Sequence, residues 1–240
     1  MKRVLSLLVV LFLSFTVFSC SSDDDYIDLS EHAGGFTMVN AFESDDAVFY
    51  VTDGRPVQSP YYPLPYRGVG YVNLWQGNRL INVYGINKTK PIAATNKKIT
   101  SGQFYTSFIG GDESNVIHFI TDDSVKKVSP LNEGKQSGVR FFNLSSDNVV
   151  ATVQFNDKTV IKEFENRVQD SETTAVQTQD FNALDSNTYV ITVKDKDGKV
   201  LAIREDVVFK PSQFYSIILI GAKDNVKKPY YIGVINQAVK

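Results

Sequence analysis

Side chains that could do chemistry are few and widely spaced. The chain of 240 residues holds two histidines and one cysteine. His118 lies in Val116-Ile117-His118-Phe119-Ile120 and shares period-2 parity with Val116 and Ile120, so it reads as a core or rim residue of a strand. His32 stands beside Glu31 with no second ligand in view. Carboxylates come as three adjacent pairs, Asp45-Asp46, Asp112-Glu113 and Asp122-Asp123. Neighbours in a strand point to opposite faces, so no pair alone sets two carboxylates across a cleft as glycoside hydrolysis requires. Asp in a turn bonds its own backbone, and all three pairs read as solvated turns. Asp195-Lys196-Asp197-Gly198 starts like a calcium loop, but its glycine is misplaced and a lysine follows, so it reads as a hairpin turn. Nucleophile-elbow, phosphate-loop, dinucleotide and His-Glu-x-x-His patterns are missing from the sequence. The expectation is a chain without catalytic or metal-ligating residues, without a cofactor, and not an enzyme.

Recognition chemistry is concentrated in one place. Four of the eight prolines fall within 56–65, in the run Pro60-Tyr61-Tyr62-Pro63-Leu64-Pro65-Tyr66, and Tyr71 and Trp75 follow. Proline lowers the entropy lost when a loop is ordered. Tyrosine and tryptophan give large contact area with a polar handle. Tyr61, Tyr62, Tyr66 and Trp75 are the candidate ligand-binding residues, for a sugar ring or an extended peptide. The competing reading is that these aromatics cover the protein's own core.

The elements that must position these groups are strands. Apolar or β-branched runs fall near 36–42, 47–52, 69–74, 79–84, 92–99, 103–109 and 115–120, then near 139–144, 149–155, 159–165, 189–194, 199–209, 213–220 and 230–235. The order repeats. Phe36–Ala41 matches Val139–Leu144, Asn78–Val83 matches Thr188–Val193, and Gln103–Thr106 matches Gln213–Ser216. No segment carries a sustained helical period, and polar Val168–Asp180 reads as a long loop. About seven strands per hundred residues is the size of an immunoglobulin-like sandwich, without the cysteine pair of antibody domains. The expected fold is all-β: two tandem immunoglobulin-like antiparallel β-sandwich domains, 35–122 and 138–240, joined by a linker over 123–137.

The N-terminus reads as an address. Lys2 and Arg3 precede an apolar run, Val4–Phe18, too short to span a bilayer but right for a secretory signal. Val17-Phe18-Ser19-Cys20 resembles a bacterial lipobox, with residues 1–19 removed and Cys20 lipidated. Lipid on Cys20 would make the membrane a partner. Ser21-Ser22-Asp23-Asp24-Asp25 resembles the export signal of Bacteroidetes surface lipoproteins, with Ser22, Asp23, Asp24 and Asp25 as its core. Outer-membrane anchoring with the protein facing outward follows from that resemblance; a solvated acidic linker is the alternative. Residues 20–34 hold five acids and no Lys or Arg, and with Lys2 and Arg3 lost in the signal, residues 35–240 carry a formal charge of +1, with no basic excess to suggest nucleic-acid binding. Asp123-Ser124-Val125 resembles the short O-glycosylation pattern of the same bacteria and makes Ser124 a candidate acceptor.

A family resemblance is carried by Val39-Asn40-Ala41, Val48-Phe49-Tyr50-Val51-Thr52-Asp53-Gly54, Gly70-Tyr71-Val72-Asn73-Leu74 with Gly77, and Gly102-Gln103-Phe104-Tyr105-Thr106. These blocks resemble the domain of unknown function numbered 4397, over about 36–121. The second repeat keeps Phe142-Asn143, Gln213-Phe214-Tyr215 and Gly221, and has Asn187 and Ser212 where the first has Gly77 and Gly102. The resemblance implies a β-sandwich module of surface or adhesive proteins and brings no catalytic residues. The functional expectation is a non-enzymatic binding or adhesion module with a glycan or protein ligand outside the cell. A structural spacer or assembly component of the envelope or a pilus is the second reading, and a glycan-processing hydrolase the third.

Overall fold

The computed structural model describes residues 29–59, 61–123, 131–132, 134–156 and 159–238. The first half contains β1 (Ala33–Asn40), β2 (Ala47–Thr52), β3 (Arg55–Pro56), β4 (Leu64–Pro65), β5 (Val69–Trp75), β6 (Gly77–Gly85), β7 (Ala93–Ile99), β8 (Phe104–Gly111) and β9 (Val116–Asp122). The second contains β10 (Gln136–Asn143), β11 (Ala151–Phe155), β12 (Asn182–Asp185), β13 (Thr188–Asp195), β14 (Val200–Val208), β15 (Phe214–Ile220) and β16 (Tyr231–Gln237). Each half is a two-sheet sandwich. The first pairs β5-β1-β8-β9 with β3-β2-β6-β7, and β4 also pairs with β2. The second pairs β12-β10-β15-β16 with β11-β13-β14.

The all-β expectation holds, and strand periodicity explains it. In β11, Ala151, Val153 and Phe155 point inward while Thr152 and Gln154 point away. The turn chemistry holds too: Gly198 adopts φ +79°, and Asp195 Oδ1 accepts the N–H groups of Asp197 and Lys199 to close the β13–β14 hairpin. The connectivity is not that of an immunoglobulin constant-type sandwich. In each half the central pair is parallel, β1 with β8 and β10 with β15, so the first strand lies inside a sheet beside the penultimate one.

The repeat is visible atom by atom. Phe36 pairs with Tyr105 as Val139 pairs with Tyr215. Tyr105 Oη accepts the Thr100 N–H and Tyr215 Oη accepts the Lys210 N–H, both at 3.1 Å. Asn40 Oδ1 accepts the Phe42 N–H, and Asn143 Oδ1 accepts that of Ser145. Gly35 and Gly138 are required where ring atoms of Phe104 and Phe214 cross the backbone; a Cβ would meet them at 2.5 and 2.4 Å.

The two sandwiches pack on each other through their equivalent sheets. Cores built around Phe36, Tyr50 and Ile81 and around Phe141, Phe155 and Ile217 fill the sandwiches. A third core lies between them and joins Val39, Phe108 and Phe119 to Phe142, Ile218 and Ile235. The rings of Phe108, Phe119 and Phe142 touch pairwise at 5.0–5.2 Å. The chain therefore forms four stacked layers related by a pseudo-two-fold axis parallel to the strands. Loops following β1, β8, β10 and β15 meet at one pole, where Ser146 Oγ and Asn225 Nδ2 donate to the Glu43 carboxylate. The N-terminal turn Leu29–His32 enters at the other.

Two local expectations are corrected in the second half. Lys162–Phe164 is a 3-10 turn rather than a strand, because Phe164 plugs the core. Within Val168–Asp180 the chain forms a helix, Glu172–Thr178, closed by a capping box of Ser171 and Thr174. The helix packs on β9 and β10 and puts Ala175 into the shared core.

Candidate functional site

The buried polar groups build two networks. His118 does face inward, with Thr95 Oγ1 3.0 Å from Nδ1 and Ser107 Oγ 3.0 Å from Nε2; Ser107 Oγ donates on to Tyr50 Oη at 3.2 Å. A serine beside a histidine suggests a nucleophile, but Ser107 and Tyr50 are fully buried and leave no place for a substrate. Burial holds the His118 ring down to about 4 from its ordinary 6.5. The unfolded chain therefore takes up a proton near pH 6.5 that the native ring refuses until about pH 4. Stability is expected to fall by about 3 kcal/mol as pH drops through that window and to level off below it. His118→Gln should remove this slope from the unfolding free energy measured between pH 7 and 4. Equal slopes in both proteins would rule out the assignment.

The second network lies between the halves. Arg140 is 0% and Asp123 1% exposed. Arg140 donates through Nη2 to Asp123 Oδ1 (2.7 Å) and Thr121 Oγ1 (3.2 Å), through Nε to Ser216 Oγ (2.7 Å) and through Nη1 to the Gln179 carbonyl (3.2 Å). Its Cζ stands 4.4 Å from the Phe181 ring centroid. Thr106 Oγ1 lies 2.5 Å from Asp123 Oδ2 and 2.7 Å from Gln237 Oε1. Asp123 is thus no solvated turn or linker residue; its charge is matched and its oxygens are satisfied in the joint. Asp45 is corrected likewise. It is buried against Gly85, and burial raises its carboxyl above the usual range.

The surface groups form the candidate site. Tyr61 and Tyr62 are 90% and 82% exposed, held by N–H groups that donate to Ser59. They do not cover the core. Tyr66 does: Lys228 Nζ stands 4.6 Å from its ring centroid, and burial pushes its hydroxyl up to about 12. Trp75, 49% exposed, ends β5 and stacks on His32 at 6.2 Å. It borders a groove of about 410 Å³ with Asp53, Arg55, Pro56, Asn73 and Arg79. Arg79 donates to Asp53 Oδ2 at 2.8 Å and to the Trp75 carbonyl at 2.8 Å. The Leu80 N–H and the Arg79 guanidinium hold the Asp53 carboxyl below its usual range.

The four aromatics named from sequence are therefore not one constellation. Tyr66 lies beside Asp46 near the Glu43 pole, where its N–H donates to the Asp46 carbonyl, and Trp75 lies at the N-terminal end. Asp53, Asn73 and Arg79 were missed as site residues. Asp53-Gly54 signals a turn, and Arg79 reaches Asp53 only across 26 positions of sequence. A half-exposed indole flanked by a charged pair and an amide suits stacking against a ring that also carries hydrogen-bonding groups. Cys20, Ser22, Asp23, Asp24, Asp25 and Ser124 lie outside the described residues. No helix among the described residues is long and apolar enough to cross a membrane. Comparisons with protein-family models and with curated proteins give no match.

Proposed function

We propose that the protein is a surface-exposed outer-membrane lipoprotein, anchored through Cys20, that acts as a non-enzymatic binding or adhesion module of the kind the 4397 blocks suggest. The observation that carries this reading is the exposure of Tyr61 and Tyr62 on a proline-framed loop: large rings that serve no core are poised for an outside partner. The Trp75 groove supplies the second contact. Carbohydrate is the favoured ligand class, because ring stacking with flanking hydrogen-bonding groups is its chemistry. A screen of purified protein against glycans is the direct test. The triple variant Tyr61→Ala, Tyr62→Ala, Trp75→Ala is expected to lose binding at least about tenfold, while each tyrosine change alone shifts stability by no more than about 0.5 kcal/mol. Equal affinity of the folded triple variant and the wild type would end the proposal.

Location has its own test. Antibody should label intact cells as strongly as permeabilised ones, and Cys20→Ala should move the protein out of the membrane fraction. Labelling confined to permeabilised cells would place the protein within the envelope. A spacer or assembly role would then lead, supported by β5, a seven-residue edge strand that among the described residues pairs with β1 alone.

A further inference from the structure

The two long sides of the central double layer are pseudo-equivalent but filled differently. On the side of β9 and β12, the connector between β11 and β12 supplies the Glu172–Thr178 helix, and Arg140 meets Asp123. On the side of β5 and β16, the equivalent connector between β2 and β5 is shorter and, among its described residues, brings Tyr66 and Arg67 to the joint. A cavity of about 120 Å³ remains there, open to solvent and lined by both halves. Val39, Ile218, Ile220 and Ile235 make an apolar floor. Arg67 and Arg204 also line it, with their Cζ atoms 4.0 and 5.9 Å from the centroid of the same Tyr231 ring. Arg204 Nη1 donates to the Ile232 carbonyl. Among the described residues, neither arginine has a carboxylate partner.

We infer that this cavity binds a small monocarboxylate with a branched hydrocarbon body. The body rests on the aliphatic floor, and the carboxylate meets the two guanidinium groups. Charge complementarity and size carry the assignment. Guanidinium groups are matched to planar carboxylates, and two of them beside one ring leave a surplus of donors. An apolar cavity of about 150 Å³ admits benzene, so this one takes a body of four or five carbons. The other side of the joint shows the same solution built internally, with apolar filling and a carboxylate on a buried arginine. This site shares no residue with the Trp75 groove or with Tyr61 and Tyr62, and its fate does not depend on that reading.

The test is equilibrium dialysis of radiolabelled 3-methylbutanoate against the full-length chain in detergent, with empty micelles as background. Binding should saturate below about 10 mM. Unlabelled 3-methylbutanamide, of the same shape without the charge, should compete at least about tenfold less well than the acid. Arg67→Gln removes charge at an exposed position, and Val69→Phe fills the cavity from an edge strand. Each should weaken binding at least about tenfold while Trp75 fluorescence stays native. Uptake that does not saturate, an amide that competes as well as the acid, or wild-type affinity in folded Arg67→Gln would each overturn the assignment.

Discussion

Asp123→Leu is expected to lower the free energy of unfolding by about 3–5 kcal/mol, because it leaves the Arg140 guanidinium charged and unpaired in a joint closed to water. The Coulomb attraction between the two side chains does not by itself set this number. Desolvation of both ions offsets most of the attraction, and the loss on mutation is chiefly the cost of the orphaned charge. The double variant Asp123→Leu, Arg140→Met should therefore recover most of the stability, since Phe108, Phe142 and Phe181 already surround the guanidinium with rings. Urea unfolding of both variants decides the matter. A loss below about 1 kcal/mol in Asp123→Leu would mean that water reaches the pair.

Phe142→Ala is expected to cost a similar 3–5 kcal/mol. It removes the second-half ring that touches both Phe108 and Phe119 of the first half. The effect should also be visible in cooperativity. Trp75 is the only tryptophan and lies in the first half, whereas far-ultraviolet circular dichroism reports both halves. In the wild type the two probes should trace one transition. In Phe142→Ala they should separate, because the contact that makes either half's folding depend on the other has been hollowed out. Coincident transitions in the variant would show that the remaining joint, the ion-pair network with Val39, Ile218 and Ile235, suffices to couple the halves.

The sequence reveals most where alternation is clean. β7 alternates half-buried and exposed positions and falls within a residue of the run that announced it, whereas β2, buried on both faces, is legible only as an unbroken apolar run. Alternation fails where an apolar residue does something else: Phe164 suggests a strand and instead plugs the core from a 3-10 turn. It fails also where a strand is too short to show a period, as in β12, Asn-Ala-Leu-Asp with Leu184 alone turned inward. The helix was hidden because seven residues with one buried alanine give no helical stripe. The parallel pairing of first and penultimate strands is a long-range choice that local propensity does not encode. Of the candidate site, Trp75 and the paired tyrosines were legible as unusual aromatics, while Asp53, Asn73 and Arg79 reach the groove only through the tertiary fold. Arg140 did leave a trace: a cation inside Val139-Arg140-Phe141-Phe142, where every neighbour is apolar, must find an acid or stay outside the core.

The network at the joint has a consequence for self-association. Across the pseudo-two-fold, Ser216 answers to Thr106, Gln237 to Asp123 and Thr37 to Arg140. Two second halves meeting through the same surface would set Arg140 against the neutral amide of Gln237. Two first halves would set Asp123 against the hydroxyl of Thr37. Either match strands a buried charge; only the unlike pair neutralises it. The duplicated halves have become lock and key. A chain holding one of each closes its own joint at the high local concentration that covalent linkage provides, so crowding many copies on one surface gives them little reason to exchange partners.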